Sequence, residues 1–273
     1  AGGRFLLRIE DLDAPRTRPG AAEALAEDLR WMGLDYDGGP GLAGGPWSQS
    51  RRLDLYEAAF RRLRDGGALF PCSCSRRDLE GAASAPHGDD GPLYPGSCRS
   101  GAQAGKPLAW RFRMEAAEPF DDAFQGPQPG LRDDFVVRRA DGAFSYQLAC
   151  AVDDAAMGVT EALRGRDLLG SASRQQALLK ALGLPPPAWA HAPLLLGPDG
   201  QRLAKRHGAT SVAAFRQAGF SPDRVRGLLA ASLGWAEPRE ELSVAALLAR
   251  ARFDALGGDD DVYGGPYLAS SKA

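Results

Sequence analysis

The chain has 273 residues, 44% of them hydrophobic and 25% charged, with a formal net charge of −2. That length exceeds one ordinary domain and allows a large core in two linked units, while the near-neutral balance excludes a strongly basic field, so contact with nucleic acid must rest on local patches. No apolar run approaches the roughly 18 residues of a membrane span and no signal peptide opens the chain, so a cytoplasmic protein without membrane attachment is expected.

The sequence opens on Phe5-Leu6-Leu7-Arg8-Ile9, a strand-like run that exits into Glu10-Asp11-Leu12-Asp13. Ligands of open α/β sheets bind beyond the carboxyl ends of strands, which makes these carboxylates candidates for substrate contact. A helix is expected over 21–33, with Leu25, Leu29 and Met32 at helical spacing, and a second over 51–65, with Leu53, Tyr56, Phe60 and Leu63 on one face. Gly66-Gly67 stops the second helix. Strand–helix alternation this early points to an α/β fold. The second helix also carries Arg51, Arg52, Arg61, Arg62 and Arg64, a candidate phosphate-backbone face that serves equally as a solvated one.

Three of the four cysteines follow: Cys72-x-Cys74, then Cys98 beyond a stretch rich in Gly, Pro and Asp. Four cysteines in a chain of this size do not make a disulfide framework, and the clustered three suggest a metal in a reducing compartment. Structural zinc takes four ligands in a tetrahedron. The fourth must come from His87 or Tyr94, and ligand chemistry by itself favours imidazole over a neutral phenol. Cys150 lies in an apolar run and is expected in the core.

Leu108 to Arg113 alternates with period two, and Asp134 to Arg139 reads as another strand, turned by Asp141-Gly142 into Ala143-Phe-Ser-Tyr146. Residues 147–154 are apolar and end in two carboxylates. Val159 to Gly165 fits a buried strand with Arg164 at its exit, 171–182 a helix, and 191–196 a buried strand. Gly197, Pro198 and Gly200 then release a basic loop holding Arg202, Lys205, Arg206 and His207. A cationic loop at the end of a buried strand can cover a polyphosphate. Lysine occurs only at 106, 180, 205 and 272, so Lys205 stands out there. Helices are expected over 212–217, from Ser221 as N-cap with Pro222 to Trp235, and over 244–256. Residues from Gly257 onward read as a frayed tail.

Taken together, Arg8-Ile-Glu-Asp-Leu-Asp13, Gln49-Ser-Arg51, Tyr146-Gln-Leu-Ala149, Val152-Asp-Asp154, Gly158-Val-Thr160, Leu163-Arg-Gly165, Arg174-Gln175 and Asp199-Gly-Gln-Arg-Leu-Ala-Lys-Arg206 occur in one order and spacing. The series, over residues 4 to about 235, resembles the catalytic domain of glutamyl-tRNA synthetases, class I enzymes with a Rossmann-type core. The loop at Lys205 is similar to the family's Lys-Met-Ser-Lys-Ser signature; Arg202 and Ala204 depart from it. Within the family the chain resembles the short paralogues that attach glutamate to queuosine in the anticodon of tRNA(Asp). Too few residues follow Arg206 for a large helical anticodon-binding half, and Cys72, Cys74, Tyr94 and Cys98 look like the paralogues' zinc pattern, with tyrosine as fourth ligand in place of His87.

The resemblance implies an α/β fold divided into the first half of the catalytic core (1–70), a zinc-binding insertion (71–115), the second half of the core (116–196), a signature loop with helical subdomain (197–257) and a flexible tail (258–273). It implies a monomer that uses ATP with Mg²⁺, L-glutamate and queuosine-bearing tRNA(Asp), with one structural Zn²⁺. Glu10, Tyr146 and Arg164 would bind glutamate; Arg202, Lys205 and Arg206 would bind ATP, with Lys205 catalytic. The family's first strand and His-Ile-Gly-His-like signature would precede Ala1, so the chain reads as an N-terminally shortened core. The alternatives are a shortened glutamyl-tRNA synthetase charging tRNA(Glu) and an inactive zinc-containing RNA-binding relative.

Overall fold

The computed structural model of the chain describes residues 2–13, 15, 17–43, 45–75, 77–79, 93–197, 199–203, 211–251 and 261–262. His87, Lys205, Arg206 and His207 lie outside the described residues. The chain divides into two compact units, one made of Ala1–Ile9, Thr17–Ser48 and Ala192–Ala273, the other of Glu10–Arg16 and Gln49–His191.

In the first unit, Phe5 to Ile9 forms no named strand. It runs instead as an extended segment with two isolated parallel bridges, Leu6 to Gly38 and Ile9 to Ser48. Leu7 N–H donates to Gly38 O at 2.7 Å and Ile9 N–H to Trp47 O at 2.8 Å. Helix α1 spans Ala21–Trp31. Its expected core face is only partly realised: Met32 is buried but Leu25 is 45% exposed, and Ala26 fills the inner position.

Helices α5 (Val212–Gln217), α6 (Pro222–Ser232) and α7 (Val244–Arg250) complete this unit, and in each the serine just before the helix accepts from a backbone N–H of the first turn. A serine cap satisfies one of the donors that every helix start leaves open, typically worth about 1 kcal/mol. Helices α6 and α7 stop earlier than the apolar pattern suggests, at Ser232 and Arg250. Buried Arg226 ties α6 to the turn after α1 and to the entrance of α7, donating from Nη1 to Met32 O at 2.6 Å and from Nε to Leu242 O at 2.8 Å. Gly33 sits in this seam with φ +69°, and a Cβ there would meet Val244 Cγ2 at 3.0 Å. The strand expected over 191–196 is broken in two, because Pro193 cannot donate within a ladder. Its second part, β8 (Leu195–Leu196), pairs in parallel with β9 (Asp261–Val262).

The second unit begins with a 3₁₀ turn at Gln49–Arg51 and helix α2, Leu53–Asp65. Tyr56, Phe60 and Leu63 are buried, whereas Leu53, expected beside them, is 48% exposed at the first turn. Strands β1 (Leu69–Cys72), β2 (Ala109–Phe112) and β5 (Phe135–Arg138) form an antiparallel sheet in the order β1-β2-β5. Strand β1 was not legible as a strand, being short and interrupted by Pro71. The sheet is buried on both faces. Leu69 and Phe112 join the main core with Tyr56, Phe60, Leu148 and Leu178, while Phe70 and Cys72 pack with Cys98 on the opposite side. Alternation along a strand sends neighbours to opposite faces, so Phe70 and Cys72 point the same way.

A second sheet has the order β4-β3-β7-β6, from Gly126–Gln128, Phe120–Asp122, Ala188–Ala192 and Glu161–Gly165. Strand β6 is not the buried strand expected, since Leu163 is 67% exposed. Tyr146 does not close a hairpin as expected. It opens helix α3, Tyr146–Ala156, whose N-cap Ser145 accepts from Leu148 N–H. Helix α4 covers Leu169–Ala181 and packs on α3 through Leu178 and Leu148.

Candidate functional site

Cys72 ends β1 and Cys74 follows just beyond it, and tertiary structure delivers Cys98 to them. The three sulfurs lie within 4.8 Å of one another, and Cys74 Sγ stands 3.6 Å from Cys98 Sγ. Tyr94 adds its hydroxyl 3.6 Å from Cys72 Sγ, and Cys98 N–H donates to that hydroxyl at 2.7 Å. Zinc holds sulfur at about 2.3 Å and oxygen near 2.0–2.2 Å, so tetrahedral ligands sit roughly 3.5–3.8 Å apart. The separations of these groups fit.

The ionisation of the cluster fits a cation as well. Burial opposes a charged Cys98, but the Ser73 N–H, the Tyr94 and Ser73 hydroxyls and Cys74 outweigh it and bring that thiol down to about 6. Burial pushes Cys74 up to about 11, with Cys98 and Cys72 adding to the rise, and burial together with Cys72 raises Tyr94 above its ordinary value. One thiolate suppresses its neighbours, and a divalent ion removes that conflict.

Two aspartates anchor the segment that carries Tyr94 and Cys98, through Tyr94 and Arg99. Asp133 accepts from Tyr94 N–H at 2.9 Å and from Arg174 Nη2 at 3.0 Å. Asp134 accepts from Arg99 Nε and Nη2 and from Met114 N–H. Burial would raise its carboxyl, but Arg99 and the Met114 N–H hold it below the usual range. Arg111, on β2, donates from Nε to Cys72 Sγ at 3.4 Å and lies 4.0 Å above the Tyr94 ring. Nothing in the local sequence singled out Asp133, Asp134 or Arg111 for this task.

The second site gathers on α3. Glu10, at the exit of the N-terminal segment, accepts from Cys150 Sγ at 3.2 Å. Cys150 is buried, as expected of a core residue, yet its thiol faces this carboxylate rather than apolar packing alone. Burial raises the Tyr146 hydroxyl above its ordinary value; Cys150 and Glu10 add to the rise and Arg164 opposes it. Tyr146 therefore sits within the fields of both charged groups, and the three residues singled out by resemblance share one neighbourhood. Asp11 is bound at both oxygens by Ser50, N–H at 2.8 Å and Oγ at 2.7 Å. Beneath them Asp153, fully buried, accepts from Gln49 Nε2, Arg52 Nε and Tyr56 Oη, so Arg52 of the basic helix is spent on structure. Arg61 and Arg64 pair with Glu57 and Asp65 on the surface.

Arg164 itself is 10% exposed and engaged on two sides: Nη2 donates to Asp154 at 2.7 Å and Nη1 to Gln175 at 2.6 Å. Its guanidinium lies 5.4 Å from the Trp189 ring, which stacks on His191, itself paired through Nδ1 with Asp122 at 2.5 Å. With two of five N–H groups committed, the guanidinium is oriented and still has donors left for a carboxylate.

The basic loop is described only at its start. Gly197 N–H donates to Gln201 O and Leu203 N–H to Leu195 O, both at 2.7 Å, so the chain turns between Gly197 and Gly200 as expected and Arg202 bridges back to Leu196.

Residues 1–248 match the family of tRNA synthetases class I (E and Q), catalytic domain. The glutamyl-Q tRNA(Asp) synthetase of Symbiobacterium thermophilum is 54% identical over 246 residues, which cover 84% of this chain and 76% of that protein. Proteins of the same name from Nitratidesulfovibrio vulgaris and Nocardia farcinica are 46% and 48% identical, over 86% and 89% of this chain and 77% and 79% of theirs. Among solved structures, a glutamate tRNA ligase from Elizabethkingia meningosepticum in complex with its amino acid superposes with TM-score 0.78 at 23% identity, covering 99% of this chain and 62% of that one. A glutamate-tRNA synthetase from Elizabethkingia anophelis gives 0.79 at 24%, covering 99% and 63%. The chain thus spans less than two thirds of either structure, and these two likenesses speak to the fold alone.

Proposed function

The chain belongs to the class I tRNA synthetases (E and Q), and on that premise we propose that it is the ligase that activates glutamate with ATP and transfers it to queuosine in the anticodon of tRNA(Asp). The observation that carries this reading is the 54% identity, over most of both chains, to a glutamyl-Q tRNA(Asp) synthetase. The cluster of Cys72, Cys74, Tyr94 and Cys98 is consistent with it, as is the convergence of Glu10, Arg164 and Tyr146. No helix among the described residues is long and apolar enough to cross a membrane. We place the protein in the cytoplasm, as a monomer.

Activation is attack of the glutamate α-carboxylate on the α-phosphate of ATP, with pyrophosphate leaving. The protein positions the reactants and stabilises the charge that develops on the phosphates. In this reading Glu10 holds the substrate ammonium, and Arg164 and Tyr146 hold carboxylate oxygens. Arg202, Lys205 and Arg206 would bind the polyphosphate, and Mg²⁺ held with ATP would share its charge. Lys205→Ala lowers pyrophosphate exchange at least about tenfold, near 1.4 kcal/mol. Unchanged turnover removes Lys205 from the mechanism.

Zinc is structural here. Cys72, Cys74, Cys98 and Tyr94 would hold it, and it would cross-link the segment between β1 and β2 without taking part in the reaction. The finer architecture that we propose is a Rossmann-type core interrupted by this zinc-binding insertion and followed by a helical subdomain.

The deciding test is labelling with radioactive glutamate and ATP. Queuosine-containing tRNA(Asp) is expected to be labelled and queuosine-free tRNA(Asp) not. Charging of tRNA(Glu) at its 3′ end would overturn the assignment in favour of an ordinary glutamyl-tRNA synthetase.

A further inference from the structure

Arg164 is held by one charged and one neutral partner, and the neutral one is the more informative. Gln175 on α4 is fully buried, a costly place for an amide unless all its polar atoms are paired. Its Oε1 accepts from Arg164 Nη1 at 2.6 Å, and its Nε2 donates to Gln147 Oε1 at 3.1 Å. Gln147, beside Tyr146 on α3, passes the chain on by donating from Nε2 to Ser171 Oγ at 2.9 Å.

The guanidinium has only donors, so its bond to Gln175 sets the direction of both amides along this relay. Turning Gln175 over would set its NH₂ against the guanidinium N–H and its carbonyl against the Gln147 carbonyl, two repulsions in place of two bonds. The relay therefore presents an acceptor, and never a donor, to Arg164. Asp154 takes the other terminal nitrogen, and Trp189 lies against the guanidinium. The guanidinium plane is thereby set from two edges and one face.

We infer that Gln175 is a positioning residue for glutamate binding, acting through Arg164 and itself oriented by Gln147 and Ser171. The inference rests on the reading of Arg164 as a contact of the substrate carboxylate. A bidentate contact demands a guanidinium in one plane, and Gln175 supplies the second edge contact that, with Asp154, sets that plane. Because Gln175 is neutral, replacing it alters orientation without altering the charge that the substrate meets.

The test compares Arg164→Ala, the near-isosteric Gln175→Met and the double variant in the full-length protein. It reads KM for glutamate and for ATP by pyrophosphate exchange, with glutamate Kd by calorimetry. Gln175→Met is expected to weaken glutamate about tenfold on both measures, to leave the ATP KM within about twofold, and to add nothing to the loss caused by Arg164→Ala. Should Gln175→Met not fold, Gln147→Leu carries the same test, with about threefold expected. If Arg164→Ala weakens glutamate while the amide variants leave it within about twofold, or if the losses add in the double variant, the positioning role is overturned and the Arg164 reading stands. If Arg164→Ala itself leaves glutamate binding unchanged, the clamp reading has failed, and the inference with it.

Discussion

The cysteine cluster and the surroundings of Arg164 lie in the same unit but are stabilised in opposite ways. At Arg164 each charge meets an opposite charge or an oriented dipole supplied by the protein: Asp154, Gln175, and beneath them Asp153 with three donors. At the cluster, Cys98 is pulled toward ionisation while Cys74 and Tyr94 are pushed away from it, and the conflict is between like groups. The first arrangement is organised by the protein's own side chains. The second brings together groups that could hold a metal ion. Preorganisation can come from the protein's own dipoles or from a bound ion.

The strongest way to break this contrast is to remove a thiol. Cys98→Ser is expected to lower bound zinc from about one per chain to under about a tenth, measured by metal analysis, and to make the segment between β1 and β2 protease-sensitive. The glutamate KM should stay within about threefold, since Arg164 owes its geometry to α3, β6 and α4. A collapse of glutamate binding alongside the zinc would show that the two sites are one cooperative structure. Tyr146→Phe sharpens the contrast from the other side. Loss of one hydroxyl contact, about 1 kcal/mol, should raise the glutamate KM roughly fivefold and leave zinc content unchanged. An unaltered KM would return Tyr146 to the role of a core aromatic.

The smallest effect concerns the layer behind Trp189. Burial would raise Asp122, but His191 and the backbone N–H groups of Gln125, Phe124 and His191 hold its carboxyl below the usual range. A depressed folded-state value contributes stability that is present above about pH 4 and lost as pH falls through that lower value. Asp122→Asn is expected to show a shallower loss of melting temperature between about pH 4 and pH 2 than the parent protein. Equal slopes would place the acid sensitivity elsewhere, with Asp134 next in line, since Arg99 and Met114 hold it down in the same way.

Much of this molecule was legible in its sequence, for reasons of local geometry. The period of α2 announced Tyr56, Phe60 and Leu63, and Ser221-Pro222 announced the start of α6. Cys72-x-Cys74 with Cys98 announced a cluster of thiols before the strand that ends at Cys72 could be recognised. The motif order singled out Glu10, Tyr146 and Arg164 as candidates for one site. Side-chain exposure at helix starts was less legible. Leu53 and Leu25 carry the right residue type at the right spacing, yet they lie on turns that the core does not cover.

Only the tertiary structure decided which groups hold the functional ones. Glu10 and Cys150 are 140 residues apart in sequence, Arg99 and Asp134 are 35 apart, and Gln147 and Gln175 are 28 apart. A pattern along a helix or strand is set by backbone periodicity and can be read from the chain. The partner of a buried carboxylate or amide is set by which elements meet. Gln175 therefore reads as an ordinary polar residue in a helix until α3, β6 and α4 bring it onto Arg164. The sequence specified the chemistry of each site, and packing fixed the orientation in which that chemistry is held.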